Sequence, residues 1–272
     1  MLCRHRTTLA FACVAVLSIS GIDTALASQG VNSFTFEFTE TQFHYQEQLS
    51  PPFKSTERGW LPGTALTFRH AGVNHPYVQL RGELTSGQTT FDGSTQSGVP
   101  VIGTTDNVFL RAESLVGYTW PVSQRLPLAL TPYGGLGYRY WDRNVGNDET
   151  YTWWYGSVGL RLDWWRGRWS VVPEAALRVP FAANLHVDQQ PLFATDLSLG
   201  TRPGYLAQLA VAYTLIDHWV VRVTAGYEES RLAGSPFKTV LSVNGVPVLA
   251  VREPSSKTEQ IILAFGITYV FP

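Results

Sequence analysis

Beyond residue 30, apolar and polar side chains alternate one for one along most of the chain. Phe34, Phe36 and Phe38 alternate with Thr35 and Glu37; Leu80 and Leu84 with Arg81 and Glu83; Leu110 and Ala112 with Arg111 and Glu113; Ile261, Leu263, Phe265 and Ile267 with Ala264 and Gly266. A period of two marks strands with two unlike faces. It predicts strands over 33–48, 60–70, 76–86, 106–120, 127–141, 151–164, 169–180, 204–215, 219–230 and 256–271. Phe43 and Tyr45 fall on the parity opposite to the first three phenylalanines, which predicts a bulge near Glu40–Thr41. The intervals between strands run 11, 5, 19, 6, 9, 4, 23, 3 and 25 residues, every odd one longer than every even one. An even number of strands with connections sorted by end in this way predicts an all-β fold, a transmembrane antiparallel up-and-down β-barrel of ten strands. Eight or twelve strands are the alternatives.

The charges sharpen this reading. One parity carries Glu37, Arg69, Arg81, Glu83, Arg111, Glu113, Arg139, Arg161, Asp163, Glu174, Arg178, Arg222 and Glu228, seven Arg against six acids and no Lys. Arg pairs with carboxylates through a planar fork and is favoured where pairing is partly buried. Arg81-x-Glu83 recurs as Arg111-x-Glu113 and Arg161-x-Asp163, and residues two apart on a strand share a side. The polar parity is therefore expected to line a lumen as a charge network, with the apolar parity against lipid. Solvent-exposed cross-strand ion pairs on a soluble sheet are the alternative.

Aromatic residues group by height. Trp120, Trp164, Trp165, Trp169 and Trp219 lie beside the short turns, while Tyr138, Tyr140, Trp154 and Tyr227 lie near the long-loop ends. Two girdles at membrane–water boundaries would explain both groups, since these rings have an apolar body and a polar tip. At the C-terminus, Gly266, Tyr269 and Phe271 sit in a run of alternate apolar residues. The run resembles the terminal signature of bacterial outer-membrane β-barrels, with Pro272 displacing the aromatic from the last position. The resemblance implies engagement of the barrel-assembly machinery and insertion into outer-membrane lipid.

Composition fits this picture without revealing it. In 272 residues, charged side chains are 15% and the net charge is −1, with no basic footprint for nucleic acid. Met1–Arg6 is basic, Leu9–Ile19 is apolar and too short to span a bilayer, and Ala25-Leu26-Ala27 offers a cleavage site. Residues 1–27 therefore read as a secretory signal peptide and 28–272 as the barrel. Both cysteines, Cys3 and Cys13, fall in the leader. No cofactor is expected, and no metal-ligand cluster stands out.

Ten strands leave a narrow lumen, which thirteen charged side chains would largely fill. A plugged barrel follows, with its role (structural, adhesive or envelope-related) carried by loops 87–105, 181–203 and 231–255 meeting an outside partner. A narrow channel for small solutes is the second reading. A third comes from omptin-type surface proteases, which also use ten strands. Asp92 and the His186-Val187-Asp188 group occupy comparable loop regions, but without the family's paired acids. A secreted soluble β protein is the fourth.

Overall fold

In the computed structural model, which describes residues 31–94, 98–123, 125–146, 148–189, 193–241 and 247–271, the alternating segments pair as ten long strands. They are β1 (Val31–Glu47), β2 (Ser55–Ala71), β3 (Pro76–Ser94), β4 (Pro100–Tyr118), β5 (Leu128–Asn144), β6 (Asp148–Arg166), β7 (Trp169–Gln189), β8 (Phe193–Ile216), β9 (Trp219–Ala233) and β10 (Ser256–Phe271). Trp120–Pro121 continues β4 along β5, and Lys238–Leu241 pairs with Pro247–Val251 as a small separate hairpin. Each strand pairs antiparallel with its neighbours in sequence. β1 pairs with β10 from Asn32↔Phe271 to Glu47↔Ser256, which closes the barrel. Closure leaves no unpaired edge, the condition for a sheet to cross lipid. The proposed leader, residues 1–27, lies outside the described residues.

Outside, the barrel wears an apolar band that includes Phe36, Phe38, Leu66, Leu110, Val158, Leu177, Val223 and Phe265, all exposed. A continuous band of this kind is far larger than the apolar patches soluble monomers carry. It belongs against hydrocarbon, and the fold is a transmembrane barrel.

The connections differ from those expected. Residues 72–75, 167–168 and 217–218 make tight turns at one end, where Val31 and Phe271 also lie. Gly167, at φ +58°, supplies the left-handed residue of a two-residue hairpin. At the other end the gaps are 48–54, 95–99, 145–147, 190–192 and 234–255, and only the last is long. Odd connections are therefore not uniformly longer than even ones, since 119–127 exceeds four of them. Most of 87–105 and 181–203, expected as loops, is strand. β8 has 24 residues, more than twice the roughly 9–11 that span a bilayer. Where a strand leaves lipid the demand for apolar side chains outside ends, so the alternation fades while the backbone pairing continues.

The bulge expected at Glu40–Thr41 is also absent. β1 runs unbroken against both neighbours, and Thr35, Glu37, Thr39, Thr41, Phe43 and Tyr45 are all buried on its inner face. The parity is constant; the interior changes from polar to aromatic along its height. A true inversion occurs in β7. Ala182 has φ +49°, and the β6–β7 register shifts between Thr152 and Trp154. Val179 and Phe181 point outward below this bulge, whereas Ala183, Leu185 and Val187 are buried above it. Above the lipid the outside meets water, so the apolar face turns in, as in any soluble sheet.

Candidate functional site

The lumen is built in two storeys. In the middle storey the inward-facing arginines and acids of seven strands meet. Glu228 of β9 is only 2% exposed and is shared by three guanidinium groups: Arg111 Nη1 donates to its Oε2 at 2.9 Å, Arg178 Nη1 lies 2.8 Å from the same oxygen, and Arg139 pairs with Oε1. Arg111 also reaches Glu83 at 2.5 Å, which pairs with Arg81 at 2.9 Å; Arg81 in turn pairs with Glu37. Arg178 donates to Glu113 at 2.8 Å, and Tyr155 donates its hydroxyl to the same oxygen at 3.1 Å. Towards the short turns, Arg161 grips Asp163 at 2.8 Å and lies 3.7 Å from Glu174, which accepts from Tyr133 at 2.6 Å. Among the described residues Arg222 donates only to Thr224, at 3.2 Å. Two glycines make room for these tyrosines. A Cβ on Gly137 would lie 2.1 Å from the Tyr155 ring, and one on Gly159 2.4 Å from that of Tyr133.

The upper storey is an aromatic and aliphatic plug that the alternation alone does not signal. Phe43, Tyr45, Leu61, Trp141, Tyr151, Tyr155 and Leu185 are at most 1% exposed and pack as one cluster. Trp141 stacks on Tyr151 at 4.6 Å and on Phe109 at 5.2 Å, and donates its indole N–H to Asn107 at 2.7 Å. Arg143 sits over the Tyr45 ring at 5.0 Å and holds Glu57, with Glu149 at 2.5 Å. Arg143 was detectable in principle, because it shares the parity of Arg139 and Trp141. Glu47, Glu57 and Glu149 lie at strand ends where the alternation had faded, and no local signal marks them.

Glu253, in the connection 252–255, caps this plug. It accepts from the Tyr151 hydroxyl at 2.9 Å. Burial and the nearby carboxylates of Glu47 and Glu149 push its carboxyl up to about 8. The folded state thus favours the protonated form. The stability this contributes is complete below the ordinary carboxylate range and is lost as pH rises through about 8. Melting of the detergent-folded barrel should fall as pH rises from about 5 to about 8, and Glu253→Gln should flatten that fall. An equal fall in the variant would remove Glu253 as its source.

The expected girdle residues occupy two heights, with one exception. Trp120, Trp164, Trp169 and Trp219 are exposed on the outer face at the short-turn end, Trp169 beside Tyr213 at 4.8 Å and Trp219 beside Tyr269 at 5.0 Å. Phe271 stacks on Phe34 across the closing seam, and Gly266 faces inward beside Glu37. Trp165 is the exception: consecutive strand residues face opposite sides, so it lies on the lumen side of the mouth. Higher up, Tyr138 packs on Trp154 at 5.1 Å and Tyr227 near Tyr205 at 5.8 Å, with Tyr140 on the same outer face.

The residues of the protease reading do not converge. Asp92 pairs with Lys54 on the outer surface of β3. His186 lies on the outer face of β7, across the barrel, and meets Asp196 at 2.7 Å instead of Asp188. Asp188 pairs in register with Asp148 and Ala194. No reacting atom could sit between groups that face away from each other on opposite walls.

No protein-family model matches the sequence, and no curated protein matches it. Among solved structures, the chain is similar to the translocator domain of autotransporter NalP from Neisseria meningitidis, at 12% identity and TM-score 0.47, covering 89% of this chain and 88% of that one. It is also similar to outer membrane protein AlkL in lipid bilayers, at 13% identity and TM-score 0.39, covering 94% and 97%. A third is outer membrane protein OprG from Pseudomonas aeruginosa, at 13% and 0.37, covering 90% and 98%.

Proposed function

We propose that the chain is an integral barrel of a bacterial outer membrane whose lumen is sealed, and that it serves as a structural or adhesive scaffold and not as a solute channel. The observation that carries this reading is the plug. Seven side chains at most 1% exposed fill the upper lumen, above a layer of paired charges. A ten-stranded barrel is narrow enough for side chains to fill it. The short-turn end then faces the periplasm and the strands that outrun the lipid stand outside the cell. Gly266, Tyr269 and Phe271 would present the terminal strand to the assembly machinery. The surface offered to an outside partner is the polar outer wall of the β7–β8 hairpin, with Asn184, His186, Asp196 and Ser198 exposed, together with the connection 234–255.

Planar-bilayer recording tests this directly. The purified protein should give no steps above the leak of an empty bilayer. Reproducible unitary steps, retained after repurification, would replace the sealed scaffold with the narrow-channel reading.

A further inference from the structure

The charges of the lumen do not balance at its short-turn end. Arg81, Arg111, Arg139, Arg143, Arg161 and Arg178 each have at least one carboxylate within 4.0 Å. Among the described residues, Arg69 and Arg222 have none. Arg69 donates from Nε and Nη2 to the Gln79 side-chain oxygen, at 3.1 and 2.8 Å, and Arg222 donates from Nε to Thr224. Both line one cavity of about 630 Å³, counting the solvent at its mouth. That cavity is walled by five guanidinium groups, Arg69, Arg81, Arg111, Arg178 and Arg222, against three carboxylates, Glu37, Glu113 and Glu174. The excess is two positive charges, the number left unpaired.

The nearest acids are already committed. Glu37 is held by Arg81. Glu174 accepts from Tyr133 and Gln208 and faces Arg161. Asp163, the third acid near both arginines, is gripped by Arg161, so Arg222 feels the repulsion of Arg69 and Arg161 opposed by the fields of Glu37 and Glu174 but meets no carboxylate directly among the described residues. Arg69 and Arg222 stay half-buried, whereas Arg111 and Arg178 deeper in the lumen are 8% and 6% exposed. Arg69 is two residues from the end of β2 and Arg222 three from the start of β9, so both sit near the short-turn mouth. Uncompensated charge in a confined, low-dielectric space is costly. It invites a counter-ion, and guanidinium forks match the geometry of oxyanions.

We propose that Arg69 and Arg222 form a binding site for a small divalent oxyanion, phosphate or sulfate, entering the lumen from its short-turn mouth. The hydroxyls of Thr35, Thr67 and Thr224 line the same cavity as further donors. The site goes beyond the scaffold reading and does not depend on it, because it requires only an open lower lumen.

Titration calorimetry of the detergent-folded full barrel with inorganic phosphate, at constant ionic strength set with chloride, tests it. Saturable binding near one ion per barrel is expected, with sulfate competing. Arg222→Gln should weaken it about tenfold or more and should raise the phosphate-free melting temperature, because a repulsion is removed. Arg69→Gln supplies the same test if the first variant folds poorly. Lys54→Gln, an exposed cation far from the lumen, should leave binding unchanged. Heat no different from chloride dilution, or native affinity retained in both arginine variants, would overturn the site. Binding by a barrel that also conducts would refute the sealed scaffold and leave the oxyanion site standing.

Discussion

Glu228→Gln is expected to destabilise the detergent-folded barrel by about 3–5 kcal/mol, the cost of removing one partner from a buried ionic cluster. The variant keeps the side chain's size and an acceptor oxygen, so the loss reports charge. In the native lumen a single carboxylate faces Arg111, Arg139 and Arg178. Glu83 and Glu113 are the remaining acids of that group, and Glu83 is already shared with Arg81. Without the Glu228 charge, three guanidinium groups on β4, β5 and β7, each only 6–8% exposed, repel one another across the lumen. Denaturant unfolding followed by tryptophan fluorescence measures the effect. The exposed pair Lys54–Asp92 is the internal control, since surface ion pairs are worth about 0–1 kcal/mol. A Glu228→Gln midpoint no lower than that of Lys54→Gln would mean the lumen is hydrated enough to screen its charges.

This cluster also marks where sequence reasoning stops. Alternation shows which face of each strand carries charge, because Arg81 and Glu83 must share a side. It cannot show which acid meets which arginine, because Arg111 and Glu228 are 117 residues apart and meet across the lumen, not along a ladder. The strand count and closure were legible from periodicity within the lipid zone, where every second residue has to be apolar. Beyond it the chain obeys a different solvent. The tail of β3 beyond residue 86 and the upper half of β7 read as loops because their outer faces are polar, although the β3 tail pairs with β4 without a break and β7 resumes its pairing with β8 from Ala183↔Leu199 to Gln189↔Phe193. Phe43 and Tyr45 read as a bulge for the same reason: aromatic residues facing inward look like a change of parity when apolar is equated with lipid-facing. At Ala182 the parity does change, and a left-handed non-glycine residue, a register shift and the reversal of burial mark it.

Trp141→Ala is expected to be comparably severe, at about 3–5 kcal/mol, because it removes the largest ring of a close-packed cluster. Trp141 is 1% exposed and touches Phe43, Tyr45, Phe109 and Tyr151 at ring separations of 4.6–5.8 Å. Its loss also strips Asn107 of an indole donor and Arg143 of one of the two rings beneath it. The void would be bounded by Asn107, Arg143 and the Tyr45 hydroxyl, polar groups able to hold water. Water in the plug is the first step towards a conducting path, so the double variant Tyr45→Ala/Trp141→Ala should show unitary conductance where the native barrel shows none. The single variant separates packing from sealing: its unfolding midpoint should drop whether or not current flows. A double variant that folds, as judged by heat-modifiable gel mobility, yet stays silent in bilayers would move the seal from the aromatic storey to the layer of ion pairs beneath it. Combining that variant with Glu228→Gln would then be the decisive recording.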